Sequence, residues 1–152
     1  MPRLSKTVTI PHDPDNVFDL VADIERYPDF IKWIRSMKVT TAPSAGPVRK
    51  CRGEADVGFK GFSERFATDV AANAEARTIE VSLARGPFKK LQNQWKMRAD
   101  GAGSTLIDFY IDYEFRNPVL ALLARANTDL AVNRIMKAFK DEAERRYGAK
   151  AV

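Results

Sequence analysis

The segment from Asn117 to Gly148 places the strongest constraint on the fold. Asn117 is a favoured helix N-cap, Pro118 suits the first helical position, and Gly148 is typical of the residue just past a helix end. A helix of about 30 residues is roughly 45 Å long, which is well beyond the usual helix length. We therefore predict a C-terminal helix that lies across a whole sheet.

The apolar residues of this predicted helix change face near its middle. Val119, Leu123, Ala126 and Leu130 form a first stripe, and Val132, Ile135, Met136, Phe139 and Ala143 form a second. The step from residue 130 to residue 132 turns the stripe by about 200°. The helix is therefore not expected to bury a single face from end to end.

The first half of the helix carries further leucines outside the first stripe. Leu120 and Leu122 make the segment NPVLALLA apolar nearly all the way round. Such a segment is either covered by neighbouring loops or exposed as an apolar lip that meets a membrane or a partner. Both readings stay open, and Leu120 and Leu122 are the candidate contact residues.

The rest of the chain has the pattern of an antiparallel sheet. Strands are predicted at residues 4–10, 36–42, 49–59, 62–72, 78–84, 90–99 and 104–115. The last is the clearest, because Ile107, Phe109, Ile111, Tyr113 and Phe115 alternate with more polar neighbours. Short connections, including a turn at Lys60 and Gly61, favour a meander of six or seven strands.

A first helix is predicted at residues 15–24, ending before Pro28. The order of elements defines an α+β helix-grip fold: a curved antiparallel sheet of six to seven strands, one or two short helices and a long closing helix. At 152 residues the chain is expected to form one domain, residues 1–152.

Composition excludes several kinds of site. With one cysteine, Cys51, and one histidine, His12, the chain lacks an internal disulfide and a cysteine-based zinc site, and any catalytic triad would need His12. His12 lies in the turn-like stretch PHDPDN, where we expect it to be solvated. Phosphate-binding glycine motifs are absent. We predict no metal, no cofactor and no catalytic residue.

The charge and the termini indicate where the protein acts. A net charge of +5 and a pI near 9.4 favour anionic partners, but the basic residues are too dispersed to predict DNA binding. The sequence has no run of about 18 apolar residues, and its amino terminus does not resemble a secretory signal. We expect a cytoplasmic protein, with peripheral contact at the inner membrane.

Two polar residues fall on apolar strand faces. Glu64 alternates in phase with Phe62, Phe66 and Val70, and Asn93 alternates in phase with Trp95. Both are candidates to point inward, where a carboxylate needs a partner, a ligand or a raised pKa. A bulge that exposes Glu64 and a purely structural Asn93 are the alternatives.

The segment YPDFIKW, residues 27–33, concentrates aromatic residues around Pro28. Its flanking acids are of the kind normally found solvated on helix surfaces and turns, so a catalytic lip is disfavoured. The segment is predicted to form core or cavity wall, with Phe30 and Trp33 facing inward and Lys32 facing solvent or lipid head groups.

Four motifs together resemble the coenzyme Q-binding START-domain family, part of the START-like, polyketide-cyclase-related superfamily: YPDFIKW, GFKGFSERF, GPFKKLQNQWKM and FYIDYEFRNPVLALL. The resemblance covers nearly the whole chain. It implies a hydrophobic cavity between sheet and closing helix, and a non-catalytic carrier or chaperone of ubiquinone, or a similar isoprenoid lipid, that supports respiratory electron transfer. Lys32 and Ile34 depart from the proline and cysteine that flank the tryptophan in that family.

We therefore expect ubiquinone, or a related isoprenoid lipid, as a bound ligand rather than a cofactor. The expected ligand-binding residues are Phe30, Trp33, Phe62, Glu64, Phe66, Asn93, Trp95, Phe109, Tyr113 and Leu123. Lys32, Lys89 and Lys90 are expected, with Leu120 and Leu122, to contact a membrane or a partner.

Two other functions are compatible with the same sequence. The ribosome-association toxin, which blocks the joining of ribosomal subunits, belongs to the same superfamily, and that function would use Arg49, Lys50, Arg52, Lys89 and Lys90 to bind RNA. A cyclase or dehydratase would use Glu64 as acid or base, although one titrating group is a weak basis for such chemistry.

Overall fold

The computed structural model describes residues 3–59 and 62–148. Seven strands are formed by β1 (Arg3–Ile10), β2 (Ile34–Ala45), β3 (Val48–Phe59), β4 (Phe62–Asn73), β5 (Thr78–Arg85), β6 (Phe88–Ala99) and β7 (Thr105–Phe115). The helices are α1 (Pro14–Ala22), a 3-10 turn (Ile24–Arg26), α2 (Tyr27–Phe30) and α3 (Pro118–Tyr147). The predicted turn at residues 60–61 lies outside the described residues.

The seven strands form one antiparallel sheet in the order β1-β7-β6-β5-β4-β3-β2. The helices cover one face of this sheet, which we call the inner face. Consecutive strands β2 to β7 are neighbours, as expected for a meander, and β1 pairs with β7 at the far edge. This arrangement confirms the predicted α+β helix-grip fold with a long C-terminal helix.

Two local predictions near proline residues differ from the structure. The strand predicted at residues 36–42 runs from Ile34 to Ala45, past Pro43, with an irregular register between Ala42 and Ala45. The first helix ends at Ala22, before Pro28 as predicted, but helical structure resumes in α2, which has Pro28 in its first turn. Proline is tolerated there because the first turn of a helix does not need its backbone N–H.

The ends of α3 follow the predicted capping. Asn117 Oδ1 accepts hydrogen bonds from the backbone N–H groups of Val119 at 2.8 Å and Leu120 at 3.4 Å. Gly148 has a φ of 81°, a conformation that favours glycine. The two caps therefore define one uninterrupted helix of 30 residues.

An aromatic cluster attaches the second half of α3 to the rest of the protein. The ring of Phe139 lies 5.3 Å, centroid to centroid, from each of Tyr27, Phe30 and Trp95, always edge to face. This geometry is the favoured one for aromatic pairs. Phe139 is fully buried, so it joins α3, α2 and the sheet at one point.

The 3-10 turn lies directly on the sheet at Gly53. A Cβ atom at residue 53 would be 2.7 Å from Ile24 Cδ1 and 3.1 Å from Met37 Sδ. Only glycine therefore leaves room for the buried Ile24 side chain above β3. This close approach fixes the path of the segment that leads into YPDFIKW.

His12 is buried, which corrects the prediction of a solvated turn residue. Its carbonyl oxygen accepts a hydrogen bond from Thr105 Oγ1 at 2.7 Å, and its ring lies 5.9 Å from that of Tyr147. The end of α3 and the start of β7 therefore cover the turn, which local sequence could not indicate.

Glu142 forms a buried ionic cluster near the end of α3. It accepts hydrogen bonds from Arg145 at 2.6 and 2.7 Å and from Arg146 at 2.7 Å. Arg146 also lies over the ring of Phe30, 5.7 Å from its centroid. Hydrogen bonds from Arg145 hold the pKa of Glu142 below its usual range, against the opposing effect of burial.

Among the described helices, none combines the length and apolar character needed to cross a bilayer.

We predict that Glu142→Gln lowers the free energy of unfolding by about 1–3 kcal/mol near neutral pH, because charge-assisted hydrogen bonds are lost. A lowered folded pKa stabilises the protein above the ordinary glutamate value of about 4.3 and ceases to do so as pH falls through the folded pKa. The difference between variant and parent should therefore shrink below about pH 4. Urea unfolding across pH measures it, with exposed Glu144→Gln as the control; a pH-independent difference would contradict the prediction.

Candidate ligand-binding site

The inner face of the sheet is covered unevenly. On β6, Met97 and Trp95 are buried, whereas Leu91 and Asn93 are half-buried. On β7, the inward residues likewise change from buried at Ile107 and Phe109 to half-buried from Ile111 onward. The half-buried inward side chains thus lie between the buried Trp95 and Phe109 on one side and the buried Phe88 at the end of the sheet where β7 meets α3.

The cause is the change of face along α3. Its buried residues all lie in the second half, from Val132 onward. In the first half, Ala121, Ala124 and Thr128 face the sheet but are only half-buried. The space between this half of α3 and the sheet, which we call the cleft, is bordered by half-buried side chains: Phe66, Val81, Leu83, Leu91, Asn93, Ile111, Tyr113 and Phe115.

The apolar residues of α3 that were expected to form a first stripe face away from the sheet. Val119, Leu123 and Leu130 are 61, 44 and 48 % exposed, and Ala126 is exposed with them. Leu122, which was expected to lie outside this stripe, is 68 % exposed on the same side of the helix. We call these five residues the outer stripe. Leu123 therefore lies outside the cleft, which corrects its assignment as a lining residue. Leu120 is half-buried beside the stripe.

Asn93 points inward, as predicted, and makes two hydrogen bonds within the protein. Its Oδ1 accepts from Trp95 Nε1 at 2.6 Å, and its Nδ2 donates to the Tyr110 carbonyl at 2.8 Å. One amide hydrogen remains for another acceptor. Asn93 therefore orients the buried Trp95 ring and still presents a donor at the edge of the cleft.

Tyr113 supplies the hydroxyl group of the cleft. Its Oη lies 2.6 Å from Thr128 Oγ1 and donates to the Ala124 carbonyl at 3.3 Å. Burial raises the pKa of Tyr113, and the Thr128 hydrogen bond opposes part of that shift. The phenol is therefore protonated at neutral pH, and it connects β7 to the underside of α3.

Glu64 is half-buried on the inner face of β4, opposite Val57 of β3. Within the described residues it has no hydrogen bond or ion pair. A lone carboxyl group without a second titrating partner does not form an acid–base pair. Burial also raises the pKa of Cys51, which disfavours a nucleophilic thiolate.

The predicted lining aromatics divide between core and cleft. Trp95 and Phe109 are buried 4.8 Å apart, and Phe30 packs against Phe139, so these three belong mainly to the core. Trp33 is half-buried at the end of YPDFIKW, and Lys32 is exposed. Phe62 begins β4, but its side chain lies outside the described part of the chain.

Sequence reasoning missed an aromatic group, centred on the buried Phe88, at the end of the cleft where β7 meets α3. Phe88 stacks on Phe115 with 4.5 Å between centroids and meets Phe66 edge to face at 5.4 Å. Phe115 ends the alternating pattern of β7, so its inward position was available from the sequence. Phe88 was not, because a bulge between Phe88 and Lys90 sets its side-chain direction.

The basic residues proposed for RNA contact do not form one patch. Arg49 lies in one row across the sheet with Ala72, Ile79 and Trp95, which are its successive partners on β4, β5 and β6. Lys89 and Lys90 lie at the start of β6, several residues before Trp95, and are therefore far from this row. Arg52 pairs with Asp69 at 2.8 Å and Lys90 with Asp112 at 2.6 Å. Exposed Arg49, Lys50 and Lys89 are free of ion pairs among the described residues.

The outer face of the sheet has a different character. Two shallow grooves of about 420 and 440 Å³ cross it, lined largely by polar side chains such as Lys50, Asp69, Gln92 and Gln94. In residues 3–59 and 62–148, no cluster of three or more His, Cys, Asp or Glu side chains could hold a metal ion.

A seven-stranded sheet gripped by a long helix over an apolar cleft defines a START-like protein. Residues 10–140 match the family model described as polyketide cyclase / dehydrase and lipid transport. The chain therefore belongs to that family, which includes both enzymes and lipid-transport proteins.

Named relatives span two functions. The chain is 28% identical to the ribosome association toxin RatA of Escherichia coli, over 99% of this chain and 92% of the relative. It is 24% identical to the mitochondrial coenzyme Q-binding protein coq10 of Schizosaccharomyces pombe, over 89% and 82% of the two chains.

Solved structures agree with the fold. The solution structure of an 18 kDa Caulobacter crescentus protein is 37% identical with a TM-score of 0.83, covering 98% of this chain and 100% of the other. A START superfamily protein from Mycobacterium smegmatis is 25% identical with a TM-score of 0.82, covering 94% and 97%.

We predict that Asn93→Leu lowers the free energy of unfolding by about 1–3 kcal/mol, because Trp95 Nε1 is left buried without its acceptor. Urea unfolding followed by tryptophan fluorescence measures the change. Gln94→Leu, on the outer face of the same strand, is the matched control and should change stability by less than about 0.5 kcal/mol. Equal stability of Asn93→Leu and the parent would show that the amide has no structural role.

Proposed function

We propose that this protein binds ubiquinone or a related isoprenoid lipid in the cleft and carries it without altering it chemically. The observation that carries this proposal is the half-buried apolar end of the inner face. Five of the inward residues there, Val81, Leu83, Leu91, Ile111 and Phe115, are apolar and still accessible beneath α3. Covering such surface with a hydrocarbon tail contributes about 25 cal/mol per Å².

The polar groups of the cleft suit a quinone oxygen. Quinone carbonyls accept hydrogen bonds, and the remaining Asn93 amide hydrogen is a free donor, whereas the single Tyr113 hydrogen would have to leave its bond within the protein to reach the ligand. A few donors within an otherwise apolar site are typical of small-molecule pockets. Glu64 would add a donor only in its protonated form.

A non-catalytic role follows from the chemistry of the same residues. Glu64 has no second titrating group as partner among the described residues, and the Cys51 thiol is not activated. The name of the coq10 relative, coenzyme Q-binding protein, supports a quinone as ligand. We propose that the protein acts as a quinone carrier or chaperone supporting respiratory electron transport.

Extraction of the purified protein with organic solvent, followed by mass spectrometry, should recover an isoprenoid quinone. Ala124→Phe should lower the affinity for a short-tailed ubiquinone analogue at least about tenfold, since a phenyl ring would displace several methylene groups worth about 0.8 kcal/mol each. Quenching of the two tryptophans, Trp33 and Trp95, reports binding.

Ala126→Phe is the matched control, because Ala126 lies on the same helix but faces solvent. It should bind the analogue like the parent protein. Absence of any isoprenoid lipid in repeated preparations, or equal losses in the two variants, would overturn the proposal.

Ribosome association is a second candidate function. It is supported by the name of the Escherichia coli relative and by the exposed, unpaired Arg49 and Lys50 on β3. Such a contact would be electrostatic and would weaken as salt is raised.

We predict, for this second function, that adding the protein to a cell lysate shifts ribosomes toward free subunits on sucrose gradients. Replacing both Arg49 and Lys50 with Glu should abolish the shift, whereas Lys140→Glu, an exposed change on α3, should not. An unchanged subunit profile with the parent protein at low salt would reject ribosome association.

A further inference from the structure

The outer stripe is apolar only along the first half of α3, and the same face of the second half is polar and charged. Continuing along that face at helical spacing, the positions after Leu130 are occupied by Asn133, Lys137, Lys140, Asp141 and Glu144. The apolar surface is therefore confined to about three turns, roughly 17 Å between residues 119 and 130.

The arginines around the outer stripe differ from most others in the protein. Ten arginines form ion pairs with Asp or Glu. Arg49, Arg116, Arg125 and Arg134 form none within the described residues. Three of these four, Arg116, Arg125 and Arg134, lie in or next to the segment that carries the stripe.

A fourth free cation lies at the same end of the molecule. The backbone N–H of Arg116 donates to the Pro87 carbonyl at 2.8 Å, and its Nε donates to the Phe88 carbonyl at 3.1 Å. These bonds hold the turn between β5 and β6 against the start of α3. Exposed Lys89 therefore lies close to the first turn of the helix.

We propose that the outer stripe docks on the surface of a bilayer containing anionic phospholipids. An exposed apolar stripe flanked by unpaired cations fits acyl chains on one side and phosphate groups on the other. Asp129 is the only acidic residue between Arg116 and Arg134, so this segment has a net positive charge. A protein partner would more often place acidic side chains opposite these arginines. The outer stripe and its flanks do not supply such acids, which disfavours a second copy of this chain as the partner.

The change from apolar to charged residues along this face of α3 also sets the orientation of the helix on the bilayer. Beyond the stripe, the same face carries Lys137, Lys140, Asp141 and Glu144, whose charged side chains offer no apolar surface to acyl chains. The helix therefore tilts so that its first half enters the head-group region and its second half lifts away. This orientation brings the aromatic end of the cleft, at Phe88 and Phe115, next to the bilayer.

The test uses the full-length protein and sucrose-loaded vesicles without quinone. The protein should sediment with phosphatidylcholine vesicles containing about one third phosphatidylglycerol and bind vesicles of phosphatidylcholine alone more weakly. Leu122→Ser should lower the partition coefficient about tenfold. Its thermal unfolding should be unchanged, because Leu122 is 68 % exposed. Ala131→Ser, a change at an exposed position of α3 outside the stripe, should bind like the parent.

The contribution of positive charge to membrane binding is tested with a separate set of arginine variants. Arg125→Gln and Arg134→Gln should each weaken binding about fivefold, since a basic residue near an anionic surface contributes about 1 kcal/mol. Arg49→Gln, the fourth unpaired arginine, should have no effect.

Three results would overturn the proposal: no sedimentation with anionic vesicles, equal loss in Leu122→Ser and Ala131→Ser, or a dimer by light scattering that Leu122→Ser dissolves. The last would assign the stripe to a second copy. Because the vesicles contain no quinone, these failures would leave the proposed lipid-binding function in the cleft untouched, and loss of quinone binding would leave docking untouched.

Discussion

The packing of Phe139 between α2 and the sheet is the interaction on which the rest of the structure depends. Its ring meets Tyr27, Phe30 and Trp95 at equal centroid distances of 5.3 Å, and it has almost no contact with solvent. Aromatic side chains combine large apolar area with a preferred edge-to-face geometry, so this cluster determines both the height and the direction of α3 above the sheet. The aromatic segment YPDFIKW thus contributes chiefly to core, through Tyr27 and Phe30, and to the edge of the cleft through Trp33.

Because the second half of α3 is held there, its first half extends over strands that it does not fully cover. Beyond the buried Trp95 and Phe109, the next inward residues of β6 and β7, Asn93, Leu91 and Ile111, are half-buried. One rigid helix therefore produces two surfaces: a cleft beneath its first half and an apolar stripe above it. Tyr113 limits how far the first half can separate from the sheet, since its hydroxyl binds Ala124 and Thr128. A lipid carrier benefits from this arrangement, because ligand access and membrane contact would occur at the same end of the molecule.

Sequence patterns predicted most of the architecture, and the errors have physical causes. The strands were recognised because one face of the sheet is covered, which enforces a period of two. The helix was recognised from its caps and from stripes that change face between Leu130 and Val132. The prediction failed where contacts distant in sequence override local preference, as at His12, which Tyr147 and Thr105 cover. It also failed at Leu123, whose stripe was identified correctly but could not be assigned to the inner or the outer side.

The sequence by itself determined the order of elements, the length of α3 and the rotation of its apolar surface, because these depend on local periodicity and capping. Only the tertiary structure decided which stripe is buried. Both stripes are apolar, and a period of about 3.6 residues carries no information about which one meets the sheet. The aromatic contacts of Phe139 make that choice, and they leave the stripe from Val119 to Leu130 facing outward.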